Sequence, residues 1–334
     1  MSRLGWRQLE RFLFPPESNS WLAVLRVGLG VEVLLYTISG RLDWAELFGS
    51  GGRALVNREI AEGMLSLESA AVPRVGWLIT LGHALGIGES YVIWSIWAAL
   101  VCAGCFLIVG LFSRSSAITA WLLHLCAVKS EDLLSYGMDN FTTIGLFYLM
   151  LSPLPDGWSL DAWLRKRSSR YSDFNGFFRR MLQVHVCFIY FLSGLTKFMG
   201  AEWWNGKSLW RALTLPPYNL LAPEWVVHWR YFLPLAGILI AALETVYPFL
   251  IWPKRSRRIV LTCIIAMHVG IGLTMGLYLF SLIMIILDLA AFGPASTAWA
   301  DDDVDLERSG RSALGEAGGR SEVGNGARQD ALAV

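Results

Sequence analysis

The run from Ile259 to Phe292 is 34 residues long and almost wholly apolar. As one helix at about 1.5 Å per residue it would measure about 51 Å, well beyond the roughly 30 Å hydrocarbon core of a bilayer. Such a run has to double back, and Gly276 is the residue at which the sequence breaks it. Backbone N–H and C=O groups that face lipid must be bonded within their own segment, so the apolar runs of this chain read as helices. The same rule applied throughout gives an all-α integral membrane protein, a polytopic bundle of about eight transmembrane helices. They are expected near Trp21 to Ser39, Tyr91 to Phe112, Ser115 to Val128, Asn140 to Leu151, Phe177 to Met199, Phe232 to Trp252, Ile259 to Met275 and Leu277 to Phe292.

With 54% hydrophobic and 16% charged residues and a mean hydropathy of +0.47, the chain is too apolar for a soluble domain of 334 residues. Its net charge of +1 hides a division, because residues 295–334 hold four basic and eight acidic groups against 24 and 19 in the rest. Three regions follow. Residues 1–20 form a cytoplasmic segment, 21–293 the transmembrane domain, and 294–334 an acidic cytoplasmic tail whose Gly, Ser, Ala and charge cannot build a core and is expected to be disordered. No small-residue cleavage site follows the early arginines at signal-peptide spacing, so the first span reads as a retained anchor.

Lysine and arginine accumulate on the cytoplasmic side of short loops. Starting inside, the cytoplasmic segments hold fourteen: Arg3, Arg7, Arg11, Arg114, Arg165, Lys166, Arg167, Arg170, Arg179, Arg180, Lys254, Arg255, Arg257 and Arg258. The outer segments hold eight over much more chain: Arg41, Arg53, Arg58, Arg74, Lys129, Lys207, Arg211 and Arg230. A multi-pass protein of the cell membrane with both termini cytoplasmic is therefore expected. Five tryptophans between Gly200 and Tyr231 suggest an outer cap at the membrane interface.

The stretch from Gln183 to Leu209 places a lysine at the end of an apolar helix and follows it with paired tryptophans. Gln183, Tyr190 and Lys197 recur every seven residues, within about 40° of one another around a helix axis, with Ser193 and Gly194 as a notch beside them. An ionisable group at membrane depth is a functional candidate. From position alone Lys197 has two readings: a base whose pKa is lowered by desolvation, or a side chain that snorkels its ammonium to the headgroups. Asp139 and Asn140 open a span on the same side, where a carboxylate serves either as a helix cap or as a catalytic group. His268 and Glu244 sit mid-span and each calls for a buried partner or a neutral state. Arg26 and Glu32 share the first span, but their six-residue offset turns them about 120° apart, so each is expected to pair with another helix.

The five cysteines all lie in apolar runs and form no exported disulfide framework. Cys102 and Cys105, a CxxC at mid-membrane depth, read as two small helix-packing residues. The histidines show no ligand spacing, so no metal is expected, and the absence of a phosphate loop or basic stripe leaves no nucleic acid among the expected partners.

Tyr190, Gly194, Lys197, Trp203 and Gly206, with Tyr136-Gly137-Met138-Asp139-Asn140, His268 and Phe280-Ser281, resemble in their order the horizontally transferred transmembrane (HTTM) domain family. That family is related to the membrane part of the vitamin K-dependent gamma-carboxylase, and the likeness covers most of residues 15–294. The resemblance implies a membrane enzyme with carbon-carbon lyase or quinol-linked chemistry. It implies Lys197 as the base, with Asp139 and Tyr190 beside it. Trp203, Trp204, Asn140 and His268 would line the site of a quinone or reduced vitamin K-like cofactor. The carboxylase helix matching Asp139-Asn140 begins with an Asn-His pair, and that histidine is missing here. The substrate implied is a quinol, an exported peptide or a lipid-like molecule, and the rival reading is a non-enzymatic binding or maturation partner for such a peptide or lipid.

The loop charges make a direct test available. A reporter active only in the periplasm, fused after Val334, is expected to give no signal; a strong signal would mean that the final apolar run crosses the membrane once.

Overall fold

The computed structural model describes residues 3–51, 58–68, 71–131, 134–166, 171–218 and 220–294. The tail beyond Pro294, together with Arg53, Arg167 and Arg170 of the charge argument, lies outside the described residues. Regular structure among the described residues is helical, apart from an isolated bridge between Glu17 and Ser172. The helices of the first half are α1 (Arg3–Leu13), α2 (Ser20–Ser39), α3 (Trp44–Phe48), α4 (Arg58–Glu68), α5 (Val75–Ala84), α6 (Glu89–Val109), α7 (Ser113–Ser130) and α8 (Gly137–Leu151). Those of the second are α9 (Leu160–Leu164), α10 (Asp173–Met199), α11 (Ala201–Trp204), α12 (Lys207–Thr214), α13 (Pro223–His228), α14 (Leu233–Leu250), α15 (Lys254–Met275) and α16 (Tyr278–Phe292).

Five helices, α2, α6, α10, α14 and α15, are long and apolar enough to cross a membrane, so the chain is a multi-pass membrane protein. The sequence expectation of about eight spans goes further than this, because α8 and α16 reach only 15 residues each and α7 carries Arg114, Lys129 and four serines. The long apolar run does break at Gly276, which ends α15 at φ +73, a left-handed conformation that a residue without Cβ adopts freely. Two residues later α16 begins and folds back against α15.

Small residues set the close seams. A Cβ on Gly30 would lie 2.9 Å from the Gly104 carbonyl, which lets α2 and α6 approach backbone to backbone. Cys102 and Cys105 do not take part in this packing, contrary to the sequence expectation; both are exposed. The buried stripe of α6 runs through Leu100, Ala103, Gly104 and Leu107, and the helical period turns the two cysteines away from it. In α10 the notch at Gly194 receives α14, since a Cβ there would lie 2.5 Å from the Thr245 nitrogen.

One end of the bundle is held by arginines that donate to the last carbonyls of helices. Arg26, only 1% exposed, bonds Leu107 O at 2.5 Å and Ile108 O at 3.0 Å at the end of α6. Arg114 bonds Met150 O and Ser152 O around the end of α8, at 2.8 and 2.7 Å. Arg179 reaches Ala291 O and Gly293 O at the end of α16, both at 3.1 Å, and Arg257 reaches Ile251 O and Trp252 O just beyond α14, at 3.1 and 2.8 Å. Helix C-termini leave carbonyls without intrahelical partners and favour positive charge, so each guanidinium meets both needs. The charge of Arg26 is balanced by Asp156, which is fully buried and accepts at 2.6 and 3.2 Å.

At the same end, Asp161 caps the start of α7. Its carboxylate accepts from Phe112 N at 3.0 Å and from Ser113 N and Oγ at 2.7 and 2.8 Å. Burial alone would raise its pKa, but the Ser113 and Phe112 bonds outweigh that and hold it below the usual aspartate value.

Replacing Arg26 with Met should strand the Asp156 carboxylate and the α6 carbonyls together. Breaking a buried ion pair from one side costs about 3–5 kcal/mol, so the variant should unfold at clearly lower temperature in detergent than the wild-type chain. A melting temperature within error of wild type would show that α6 and α8 are held by other contacts.

Candidate functional site

The charged groups expected at mid-span find partners at the junction of α10, α14, α15 and α16. Tyr190 of α10 donates its hydroxyl hydrogen to Asp288 Oδ2 at 2.6 Å, and Tyr247 of α14 donates to Asp288 Oδ1 at 2.6 Å. All three side chains are at most 2% exposed. His268 Nε2 lies 2.9 Å from the Tyr190 hydroxyl oxygen. Because the one hydroxyl hydrogen is committed to Asp288, Nε2 is the donor, and the imidazole carries its free lone pair on Nδ1. That Nδ1 is buried and has no hydrogen-bond partner; neither has Ser281 Oγ nearby on α16. Ser281 packs on Gly272, one helical turn from His268.

Towards the end of α10, Lys197 Nζ donates to Ser193 Oγ at 2.6 Å and to Glu244 Oε2 at 2.5 Å. The ammonium also stands 5.2 Å from the centroid of the Trp203 ring, within range of a cation–π attraction. The side chains of Lys197 and Glu244 are 18% and 7% exposed, so the pair borders solvent or headgroups without being open to them. It joins the first cluster electrostatically: Lys197 acts on His268, and Glu244 on Tyr190. Glu244 and His268 thus each have the buried partner that their positions called for.

Asp139 belongs to a different group, built on α2, α7 and α8. Its Oδ2 accepts from the Tyr136 N–H at 2.8 Å in a capping box, so the capping role is present. Around it stand Tyr36, which donates to Glu131, and His124, whose ring centroid lies 5.0 Å from that of Tyr36. Thr143 Oγ1 donates to Asp139 O at 2.8 Å, so His124 Nδ1, 3.1 Å away, donates to Thr143 and leaves Nε2 bare. Glu32, fully buried, interacts with Asp139 through space, yet neither of its carboxylate oxygens has a hydrogen-bond partner. The expected pairing of Glu32 with another helix is therefore absent among the described residues; the basic neighbour it would need is spent, because Arg26 faces Asp156 one and a half turns away.

Phe280 of α16 stands between the two groups. Its ring lies 5.7 Å from that of His268 and 6.0 Å from that of Phe141, and a Cβ on Gly137 would meet it at 3.0 Å. Of the residues expected in one pocket, Lys197, Trp203, Tyr190 and His268 come together and Asp139 sits across the Phe280 ring. Trp204 is 48% exposed and donates to Phe198 O, six residues back, at 2.8 Å, while Asn140 is exposed on α8. Tyr247, Asp288, His124, Thr142 and the pairing of Tyr36 with Glu131 were not singled out from sequence. Asp288 and His124 carried a readable signal, as lone ionisable groups inside apolar runs.

The HTTM domain family model matches residues 78–295. The chain belongs to the HTTM family. No curated protein and no solved structure matches it. The matched span takes in the whole Lys197 cluster of this HTTM protein and the Asp139 helix, and it begins after Glu32 and Tyr36.

Asp288 satisfies two tyrosine donors, a task that an asparagine, with one acceptor oxygen and an NH2, cannot repeat. Asp288→Asn should destabilise the protein by about 1–3 kcal/mol in detergent unfolding. The fourfold change Tyr190→Phe, Tyr247→Phe, His268→Leu, Asp288→Leu, which removes the donors and acceptors of the network together, should cost less than Asp288→Asn alone. The reverse order would show that the carboxylate is bonded differently from this description.

Proposed function

We propose that this HTTM protein is an integral membrane enzyme resembling the gamma-carboxylase, with the Lys197–Glu244 pair as its proton-handling centre. The observation that carries the reading is this short pair at a helix end, beside two buried polar atoms, His268 Nδ1 and Ser281 Oγ, that the protein leaves without partners. An unsatisfied buried acceptor is expensive, and a bound polar group would relieve it.

As an ammonium, Lys197 cannot act as a base. Glu244 resolves this, because a proton can move across their 2.5 Å contact to leave a neutral amine and a neutral carboxylic acid. Exclusion of water by a bound substrate favours the neutral form, since both charges then lose their solvation. The amine lone pair accepts the substrate's acidic proton, the substrate is left as an anion, and the new ammonium, itself favoured by the Trp203 face, stabilises that anion. A reduced quinone, which the family implies, would supply a weakly acidic hydroxyl when bound; Trp203, His268 and Ser281 are the residues that would hold it. The acidic hydroxyl or C–H of an exported peptide or lipid-like molecule would meet the same groups.

The reading extends to topology. We take α7, α8 and α16 as spans beside the five long helices, giving eight, because α16 must return alongside α15 after the two-residue turn at Gly276. The arginine-rich end then faces the cytoplasm, with both termini, and Lys197 faces the outer leaflet of the cell membrane.

Lys197→Met alone would strand the Glu244 carboxylate, so the informative variants are the double change Lys197→Met with Glu244→Gln and the single change Lys197→Arg. In proteoliposomes supplied with a reduced quinone, both should keep the wild-type melting temperature within a few degrees. Turnover should fall by about a hundredfold or more in both, as expected for the loss of a general base. Near-normal turnover with Arg, which stays protonated, would make the residue an anchor for an anionic group and favour a binding or maturation partner instead.

A further inference from the structure

On the exposed side of the α10–α14 seam, at the end away from Lys197, lies an apolar groove of about 240 Å³. Val184, Cys187 and Pro248 form its floor and Phe188, Phe249 and Trp252 its walls. Phe188 and Phe249 are 58% and 66% exposed, so the groove opens outward from the bundle.

Positive charge gathers at one end of it. The Arg180 guanidinium stacks 5.0 Å from the centroid of the Trp252 ring, and Arg257 donates to the Trp252 carbonyl at 2.8 Å. From Trp252 the chain passes through Pro253 into Lys254 and Arg255, both exposed, and the first turn of α15 holds no acidic residue. Arg179, Arg180 and Arg257 lie close enough to repel one another, and Glu17, the carboxylate that acts on them, is bonded to Arg179 at 2.8 Å. Among the described residues this rim therefore carries more positive charge than its neighbours neutralise. The charge bias between loops accounts for its sign. It gives no reason for an apolar groove of chain-like width to end at the same tryptophan.

We propose that the groove and its basic rim form a binding site for an anionic phospholipid. An acyl chain occupies the groove, and the phosphate sits at the Trp252 end. Arg180 and Arg257 already spend donors on main-chain carbonyls, so Lys254 and Arg255 supply the free contacts. A zwitterionic lipid has the same chains and phosphate, but its ammonium would meet these cations as a like charge. The groove floor gives the site a second consequence: Cys187 adjoins Asp288 and Tyr247 electrostatically, so a seated chain lies directly behind the tyrosine network. The proposal stands apart from the enzymatic reading, since none of its contacts involves Lys197, Glu244 or His268.

The test uses the full chain in a neutral detergent, titrated with phosphatidylglycerol or phosphatidylcholine bearing the same two acyl chains, with bound lipid counted by native mass spectrometry. Phosphatidylglycerol should bind about tenfold or more tightly than phosphatidylcholine, and the double change Lys254→Gln with Arg255→Gln should remove that difference, each cation near a phosphate contributing about fivefold. Val184→Trp, which fills the groove floor, should weaken both lipids. Equal affinity of the two lipids in the wild-type chain would overturn the proposal. So would undiminished phosphatidylglycerol binding in a Val184→Trp chain that melts like wild type. Displacement of the lipid by a short-chain quinone would overturn it in favour of a substrate entrance. The charge variant alters only exposed side chains, so the test holds even if Val184→Trp fails to fold.

Discussion

A helix that ends inside or at the edge of a bilayer has carbonyls to satisfy and little water to do it with, and this bundle meets that constraint with guanidinium groups. Arg26, Arg114, Arg179 and Arg257 each donate to two carbonyls at the ends of α6, α8, α16 and α14 respectively. A guanidinium offers five donors in a planar fork, and Arg114, Arg179 and Arg257 each use two of its nitrogens for the two carbonyls. Three of the clasps tie helices distant in sequence into one end, the fourth, Arg257, closes the short turn between α14 and α15, and together they fix the level from which α2 and α10 rise towards the opposite end. The arginines counted for topology are in part the same residues, so the charge bias and the closure of the helix ends have one physical origin.

The opposite end is built on other terms. Its buried groups are carboxylates, tyrosines and imidazoles, and several polar atoms stay unmatched: both oxygens of Glu32, Thr142 Oγ1, Ser281 Oγ and one nitrogen on each of His124 and His268. Native interiors leave few such atoms, and those left over mark places where a proton, water or ligand completes the set. The arginine end therefore has its helix-end carbonyls satisfied by side chains, while the carboxylate end leaves several buried acceptors without a partner among the described residues. Phe280 stands between the two open groups and keeps them from merging into one.

How far the sequence was legible follows from the range of each signal. Helix positions rest on local composition and length, and the eight expected runs all fall on helices, with the break of the last run at Gly276. Lys197 was readable because a charge in an apolar run stands out without reference to anything else. What one sequence does not encode locally is the partner across a helix interface: Asp156, which balances Arg26, follows a proline-containing stretch with no periodic signal, and Asp161 caps α7 from a five-residue helix. Glu32 shows the limit from the other side. Its position demanded a partner by the usual cost of a buried charge, yet the described structure supplies none. The placement of Asp139 across Phe280 from Lys197 depends on how α8 and α16 rotate against each other, which no spacing within either helix reveals.

The α10–α14 seam links these levels. At Gly194 the lack of a Cβ lets the Thr245 backbone approach, and that closeness brings Lys197, about one turn on from Gly194, to 2.5 Å from Glu244, the residue before Thr245. Further along, Phe188, Phe191, Phe249 and Trp252 replace the small residues, and Phe191 and Phe249 meet edge to face at 6.0 Å, propping the helices apart. Pro248 deepens the opening chemically as well, for it has no N–H to return to the Glu244 carbonyl. A single pair of helices thus closes at the charged end and opens at the apolar end. The two features follow from the order of small and large residues along one seam, so a substitution at Gly194 that spread the helices would loosen the ion pair before it reached the groove.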